Sequence, residues 1–246
     1  MTAQLRAELL RFFSRRMFRW LTALFVAAGT LGATLTFFNS DAVSEPVHLA
    51  ELPWIVMGSS MWLIFGAWVI GASFVGAEWQ KGTMTTTLTW EARRGRVLAA
   101  KFAAAGLAIF VWHLALMALM LVLLSPTMVL HGTGTLDVTT VANSALRGAT
   151  LGAFAAVAAG AVTMIGRTTA AAIGAGFAWF AVLEGFGRAL RPQWSRWFVG
   201  ENAGSFLTWE TFSSGRTPSE AAAVLVLYAA VIIAAAWLFF TRRDAA

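Results

Sequence analysis

Long apolar runs separated by short polar stretches make up most of this chain. Six of the runs reach the roughly 20 residues that a helix needs to cross the hydrocarbon core of a bilayer. None shows the alternation of apolar and polar residues that marks the strands of a membrane barrel. The pattern predicts an all-α integral membrane protein, one transmembrane domain covering residues 1–246, with transmembrane helices at 17–38, 54–75, 102–124, 141–165, 169–186 and 221–240.

The residues ahead of the first run have a helical period. At about 100° per residue, apolar and polar side chains separate to two sides of a helix. The apolar side comprises Leu5, Leu9, Leu10, Phe12, Phe13, Met17 and Trp20, and the polar side comprises Glu8, Arg11, Ser14, Arg15 and Arg19. This predicts an N-terminal amphipathic interfacial helix at 1–16, which serves either as a topology anchor or as a docking element for a partner.

Composition narrows the class of protein. The chain is 59% hydrophobic and 12% charged, whereas soluble domains carry about 25% charged residues. It has no cysteine, so disulfides, thiolate metal sites and cysteine nucleophiles are excluded. Its three histidines, His48, His113 and His131, are scattered without clustered acids, so we predict no metal site.

The basic residues show on which side each loop lies. With a cytosolic N-terminus, most of the 18 Lys and Arg residues fall in cytosolic segments, as the positive-inside rule requires. These are Arg6, Arg11, Arg15, Arg16, Arg19, Lys81, Arg93, Arg94, Arg96, Lys101, Arg167, Arg242 and Arg243. We therefore predict a multi-pass plasma-membrane protein with both termini cytosolic. The net charge of +6 indicates contact with anionic membrane lipid and not with nucleic acid.

One polar stretch, residues 76–101, interrupts the apolar pattern between the second and third runs. It reads GAEWQKGTMTTTLTWEARRGRVLAAK. Gly82 predicts a turn, and the threonine-rich centre is a poor helix former. The spacing predicts a short, charged, reversing element of a size that fits a groove on a soluble protein. The alternative is a stretch that only anchors the topology.

At these residues the chain resembles the membrane subunits of type-2 ABC exporters, six-span permeases that work with a separate ATPase. The resemblance is carried by Glu78, Trp79, Gly82-Thr83, the Thr/Leu stretch 85–88 and the run Arg94-Gly95-Arg96-Val97-Leu98-Ala99-Ala100-Lys101. Members of the family often carry a proline shortly before the arginine run, where this chain has Glu91-Ala92. The shape of that turn therefore stays open.

The resemblance implies that residues 76–101 form a coupling loop resting on the ABC ATPase subunit. The implied coupling residues are Glu78, Gly82, Thr83, Glu91, Arg93, Arg94, Arg96 and Lys101. Glu78, together with Arg94 or Arg96, would contact either the ATPase or the N-terminal helix. The resemblance also implies a second permease copy, and short re-entrant or interfacial helices in the outer segment 188–219. ATP and Mg would be bound by the partner, since the chain has no phosphate-loop motif and no predicted cofactor or catalytic role of its own.

Three ionisable residues lie near the outer ends of spans. Glu184 is near the end of the fifth run, with Arg188 four residues later and Arg147 in the fourth run as an alternative partner. Such residues are functional candidates because charge at membrane depth is costly. The spacing favours a Glu184–Arg188 ion pair, and a substrate or gating role is the alternative.

Two other classes of protein compete with the permease. An intramembrane enzyme would need a nucleophile and a base on facing helices, and Ser59, Ser60 or Ser73 with His113 is the available combination. A non-transporting scaffold or immunity-type membrane protein would tolerate changes in residues 76–101 without loss of function.

Overall fold

A computed structural model describes residues 2–40, 46–91, 93–211 and 215–242. Met1, Ala92 and Arg243, which belong to segments predicted above, lie outside the described residues. Within the described residues, six helices are long and apolar enough to cross a membrane, which confirms the predicted number and type of spans. They are Arg16–Asn39, Leu49–Gln80, Arg94–His131, Val138–Gly166, Thr169–Leu190 and Pro218–Arg242. The chain is therefore a helical, multi-pass membrane protein.

The first half of the chain contains five helices in its described part. They are α1 (Thr2–Phe13), α2 (Arg16–Asn39), α3 (Leu52–Gln80), α4 (Thr83–Trp90) and α5 (Arg94–His131). A 3-10 turn, Leu49–Glu51, leads into α3. Pro53 occupies the first turn of α3, where a missing N–H costs nothing.

The second half contains α6 (Val138–Gly166), α7 (Thr169–Phe177), α8 (Gly185–Leu190), α9 (Val199–Thr208) and α10 (Pro218–Arg242). A π-helical segment, Ala178–Glu184, joins α7 to α8, so that the fifth span is one composite helix. A 3-10 helix, Pro192–Trp197, precedes α9. Short helices therefore occur in the described part of segment 188–219, and their re-entrant or interfacial position stays a prediction.

Two strands of two residues each accompany the helices. β1 (Val47–His48) and β2 (Gly132–Thr133) pair in parallel, with Val47 opposite Gly132. They join the connection after α2 to the connection after α5. This pairing is a small addition to the predicted all-α class.

The core forms where α3 and α6 approach each other most closely. A Cβ atom on Gly71 would overlap the backbone carbonyl of Ala156. Ala67, Ala72 and Ala159 are fully buried along the same contact. Small residues let helices in a membrane approach closely and gain dispersion contacts. The first span, by contrast, has Ala33 as its buried residue. Phe18, Leu21 and Phe25 pack against the core from one side of this span, and Leu24, Leu31 and Leu35 are exposed.

The small residues Gly148 and Gly152 pack within the chain. A Cβ atom on Gly148 would lie 2.9 Å from Nε2 of His113, and one on Gly152 would lie 2.9 Å from its Nδ1. The two glycines therefore make room for the imidazole of the third span.

The polar stretch 76–101 is more helical than its composition predicts. α3 continues to Gln80 and α5 begins at Arg94, and the threonine-rich centre forms α4. The prediction from helix propensity was therefore wrong. Thr85 and Thr89 donate their hydroxyl hydrogens to carbonyls within the same turns, at 2.7 Å each, and Met84 is completely buried. Packing of this kind commonly overrides weak propensity.

Candidate functional site at the basic end of the bundle

One end of the bundle gathers α1, α4, the start of α5 and the end of α10, and we call it the basic end. The guanidinium of Arg94 donates to the carbonyl of Phe240, at 3.2 Å. The guanidinium of Arg167, just after α6, lies 4.9 Å from the ring centroid of Trp79. The segments that the sequence predicts on one side of the membrane therefore lie together in the described structure.

A cluster of buried charges lies at the centre of the basic end. Nζ of Lys101 is 2.9 Å from a carboxylate oxygen of Glu8 and 2.6 Å from one of Glu78. Lys101 is completely buried, and Glu8 and Glu78 are 1% and 5% exposed. Charges that leave water require close partners of opposite sign. Lys101, a residue of α5, therefore links α1 to α3 by binding one carboxylate from each.

Two arginines complete this cluster, which we call the α1 ion cluster (Glu8, Arg11, Arg15, Glu78 and Lys101). Arg11 lies 3.0 Å from Glu8, and Arg15 lies 3.4 Å from Glu78. Arg15 also donates to the carbonyl of Ser73, at 3.2 Å. Burial lowers the pKa of the Arg15 guanidinium, whereas the carboxylates of Glu78 and Glu8 act to raise it.

The ion cluster changes the assignment of faces on α1. Glu8 was expected on the polar, outward side, but it faces the bundle beside the completely buried Phe12. The apolar side chains of Leu10 and Trp20 point outward and are 66% and 74% exposed. The helix is present, but its inward side combines Glu8, paired with the lysine of α5, and Phe12 of the predicted apolar side, whereas Leu10 and Phe13 of that apolar side are exposed.

α4 presents an exposed surface beside the ion cluster. Gly82 makes the turn before it with a positive φ of 68°, a conformation that glycine adopts without steric cost. Met84 and Leu88 pack into the core, so α4 is held against the bundle on one side. Trp90, at its end, is 89% exposed. We call the outward side of this segment the α4 surface; it comprises Lys81, Gly82, Thr83, Thr85, Thr86, Thr89, Trp90 and Arg93.

The arginine run after α4 is divided between surface and interior contacts. Arg94 bonds the end of α10, as described above, whereas Arg96 lies 3.6 Å from Glu91. A carboxylate oxygen of Glu91 also accepts from the backbone N–H of Arg93, at 3.2 Å. Glu91 therefore satisfies the backbone N–H of Arg93, the residue just before α5. Ala92, where the sequence departs from the family pattern, is outside the described residues.

The residues that the resemblance implies for coupling thus fall into three groups. Gly82, Thr83, Arg93 and Arg96 are exposed, and Glu91 and Arg94 are partly buried. Glu78 and Lys101 have almost no surface to offer a partner, and they bind the N-terminal segment instead. For Glu78, this is one of the two contacts that the resemblance implies.

At the opposite end, Glu184 is buried and does not pair with Arg188. Its carboxylate accepts from Nε1 of Trp179, at 2.7 Å, and from the backbone N–H of Gly200, at 3.0 Å. Arg188 instead lies 3.3 Å from Glu201. The expected ion pair was therefore wrong. The chain folds back after the span, so that the free N–H groups at the start of α9 reach Glu184.

The alternative partner, Arg147, does not bind Glu184 either. Its Nε donates to the carbonyl of Asn143, at 3.1 Å, and its guanidinium lies 5.2 Å from the ring centroid of Trp209. An arginine over an indole face gains a cation–π contact that needs no acid.

Ser60 and His113 are the pair required by the enzyme alternative. Nε2 of His113 is 3.1 Å from the Ser60 hydroxyl, within hydrogen-bond reach. The hydroxyl is also directed at the sulfur of Met117, at 3.8 Å. Nδ1 of the imidazole has no hydrogen-bond partner among the described residues, so no third group orients the base. Both side chains are fully buried, and the pair therefore has the character of a packing contact.

Sequence reasoning missed two residues of the basic end. Glu8 is the sole acid among the first 40 residues, and a lone acid one turn before a phenylalanine on an otherwise basic helix is a usable signal. Trp90 is an aromatic residue within a polar stretch, where no apolar neighbours in the sequence account for it.

In comparisons with known proteins, no family model and no curated protein matches this chain. The basic end is therefore the main basis for a functional proposal.

Proposed function

We propose that this chain is the membrane-spanning permease subunit of an ATP-driven exporter of the type-2 ABC class. In this proposal the spans form the translocation pathway, and a separate ATPase subunit binds ATP and Mg. The observation that carries the proposal is α4, a short helix that is fixed to the bundle on one side and exposed on the other. A coupling element needs both properties, because it must bind the ATPase subunit and must transmit that subunit's movement to the spans.

The attachment of α4 supports a transmitting role. Met84 and Leu88 pack into the same core as the ends of α3 and α5. Trp79, which precedes the Gly82 turn, has its ring centroid 6.4 Å from that of Phe240 in α10. A force applied to α4 would therefore reach three spans through packed side chains.

The chemistry of the α4 surface supports a protein partner. Trp90 is 89% exposed, and tryptophan and arginine are enriched among the residues that dominate binding energy at interfaces. Arg93 and Arg96 follow it within six positions in the sequence and are exposed. The partner surface we expect is an apolar pocket with an acidic rim on the ATPase subunit.

The exposed apolar side of α1 supports an interfacial position. Leu10 and Phe13 are 66% and 45% exposed, and Arg6 lies on the outward side. A helix with these properties lies in the interface with its apolar side in the lipid. The bias of basic residues supports a position of this interface at the cytosolic leaflet of the plasma membrane, with both termini cytosolic.

The remaining parts of the proposal concern the assembly and its cargo. Six spans would pair with a second permease copy to enclose a pathway. The exported compound would be apolar or amphipathic, because the spans offer few buried charges that could hold an ion. The described helices of segment 188–219 would cap the outer end of the pathway.

The proposal is tested by purifying the protein gently from its native membrane and identifying what co-purifies in near-equal amount. We expect a soluble subunit with a phosphate-binding loop. Trp90→Ala should weaken its binding by about 30-fold or more, the loss of about 2 kcal/mol that marks a dominant interface residue. Trp194→Ala is the matched control, since Trp194 is also exposed, at 58%, but lies at the opposite end.

Two results would contradict the proposal. A protein that purifies alone, with no ATP-dependent activity in its membranes, would favour a non-transporting scaffold or immunity-type role. Equal retention of the soluble subunit by Trp90→Ala and Trp194→Ala would move the coupling surface away from α4.

A further inference from the structure

A cleft of about 1140 Å³ opens at the basic end, between α1, the start of α2, the end of α3 and α4. Arg16, Arg19 and Lys81 contribute to its lining, and Trp90 lies along the same lining. Glu8, Arg11, Arg15 and Glu78 of the α1 ion cluster form part of its wall. It is large enough for the polar part of a phospholipid.

The acids of the cleft wall are already compensated. Glu8 and Glu78 share Lys101, as described above, and each also has an arginine within 3.4 Å. Glu91, the other acid in the lining, lies 3.6 Å from Arg96. None of the three is therefore available to compensate a further cation.

Three cations of the lining have no such compensation. Among the described residues, the side chains of Arg16, Arg19 and Lys81 form no ion pair and no hydrogen bond. All three are exposed. Positive side chains gathered in a cleft with a low-dielectric wall concentrate their field there and attract an anion.

The position of the cleft indicates which anion it meets. Arg16 is the first residue of the first span, and Lys81 directly follows the last residue of the second span. The cleft therefore lies at the border of the membrane, whichever side that border faces. Trp20 and Leu24 follow the lining residue Arg19 along α2 and are 74% and 60% exposed, so they offer an apolar surface along which acyl chains can lie.

We propose that this cleft binds the headgroup phosphate of an anionic phospholipid. The guanidinium groups of Arg16 and Arg19 would contact the phosphate oxygens, a geometry for which arginine is well suited, and Lys81 would supply a point charge. An anionic lipid is favoured over a zwitterionic one, since three uncompensated cations attract net negative charge. The inference does not rest on the proposed transport function, because lipid binding requires no ATPase partner.

The test uses the full chain purified in a mild detergent. Native mass spectrometry would measure retention of phosphatidylglycerol and of phosphatidylcholine with identical acyl chains. We expect the wild-type protein to retain phosphatidylglycerol preferentially. A variant with Arg16→Gln, Arg19→Gln and Lys81→Gln should lose about 100-fold in affinity, at about fivefold per basic residue near a membrane surface.

The matched control carries Arg6→Gln, Arg93→Gln and Arg242→Gln. These three residues are exposed at the same end but do not line the cleft. The control variant removes the same charge, so a general electrostatic effect would weaken lipid retention equally in both variants. Equal retention by the two triple variants, or equal retention of the two lipids by the wild-type protein, would overturn the proposal.

Two further arms keep the test decisive. If the triple variant does not fold, as judged by circular dichroism and gel filtration, the single variants Arg19→Gln and Lys81→Gln replace it. Each should lose about fivefold, and unchanged retention in both would overturn the proposal. Inorganic phosphate at millimolar concentration should leave the bound lipid in place, whereas full displacement would identify a site for soluble phosphate and overturn the assignment to lipid.

Discussion

Lys101 has no exposed surface, yet it lies in the stretch that the sequence marks as polar. Its charge is stabilised by two carboxylates from two different helices, and each carboxylate also has an arginine partner. Each member of the α1 ion cluster is thus bonded to at least one group of opposite charge. Loss of one member leaves the others buried without full compensation.

We predict that Lys101→Met lowers the free energy of unfolding by about 3–5 kcal/mol, the cost of breaking a buried ion pair from one side. The reason is that Glu8 and Glu78, two carboxylates of the same charge, would then lie near each other in the low-dielectric interior without the lysine that binds both. Denaturant or thermal unfolding in detergent measures the effect. Arg93→Gln, an exposed site, should stay within about 0.5 kcal/mol of the wild-type protein.

A triple variant separates charge from packing in this prediction. Glu8→Gln and Glu78→Gln, added to Lys101→Met, remove the uncompensated carboxylates and should recover a large part of the lost stability. A triple variant that is less stable than Lys101→Met alone would show that packing, and not charge, holds the cluster.

Asp137 gives a residue-scale prediction about pH. Its carboxylate accepts from the hydroxyl of Thr140, at 2.6 Å, and from the backbone N–H of Thr140, at 3.0 Å. These bonds hold the pKa of Asp137 below its ordinary value. A lowered pKa means that the charged form is favoured by folding, so the stabilisation is present above the ordinary value, near pH 4, and is lost as the pH falls below it.

We therefore expect the difference in melting temperature between the wild-type protein and Asp137→Asn to shrink as the pH falls from about 5 to about 2. Thermal unfolding across this range measures it. Glu51→Gln is the control, since Glu51 is exposed and its carboxylate accepts no hydrogen bond among the described residues. A difference that stays constant with pH would contradict the assignment.

At the scale of elements, the approach of α3 to α6 depends on the absence of side-chain atoms. Gly71 lies directly against the backbone of Ala156, whereas a Cβ atom on Gly32 in α2 would meet nothing within 4 Å. The two glycines share a helical, membrane-spanning setting and differ in their neighbours. Gly32 therefore serves as the control for a substitution of Gly71.

We predict that Gly71→Ala destabilises the protein by about 1–3 kcal/mol, because the added methyl group must push two backbones apart. Gly32→Ala should be neutral or stabilising by up to about 1 kcal/mol, because alanine is the better helix former. Thermal unfolding of both variants in the same detergent measures the difference. Equal effects would show that the α3–α6 contact is looser than described.

At the scale of the whole molecule, the two ends of the bundle differ in charge and construction. The basic end holds the α1 ion cluster and the α4 surface. The opposite end holds β1, β2 and the described helices of segment 188–219. An even number of spans returns the chain to the side on which it entered, so a single orientation fixes the side of every loop.

We predict that the basic end faces the cytosol. Because the chain has no cysteine, single substitutions can be labelled with a membrane-impermeant maleimide. Thr135→Cys and Trp194→Cys should react in intact cells, whereas Arg93→Cys and Arg242→Cys should react only after the membrane is opened. Ala156→Cys, at a fully buried position, is the control that should remain unlabelled.

Labelling of Arg93→Cys in intact cells, with Trp194→Cys protected, would reverse the orientation. Labelling of Arg93→Cys and Trp194→Cys from the same side would contradict the order of spans itself.

The number and order of the spans could be predicted from the sequence alone, because the length of an apolar run is a local property. The turn at Gly82 and the gathering of basic residues at one end were also local, since they depend on residue type and on counting spans. The contacts of single charges could not be predicted in this way. Glu8 and Lys101 are 93 positions apart in the chain, and no periodicity links them.

Only the tertiary structure decided which partner each charge finds. Glu184 has Arg188 one turn away, but the start of α9, 16 positions later, folds back to offer free N–H groups at closer range. α4 is helical despite its threonines because Met84 finds a pocket in the core. In each case, a contact between distant segments is worth more than the local preference, and a sequence pattern describes only the local preference.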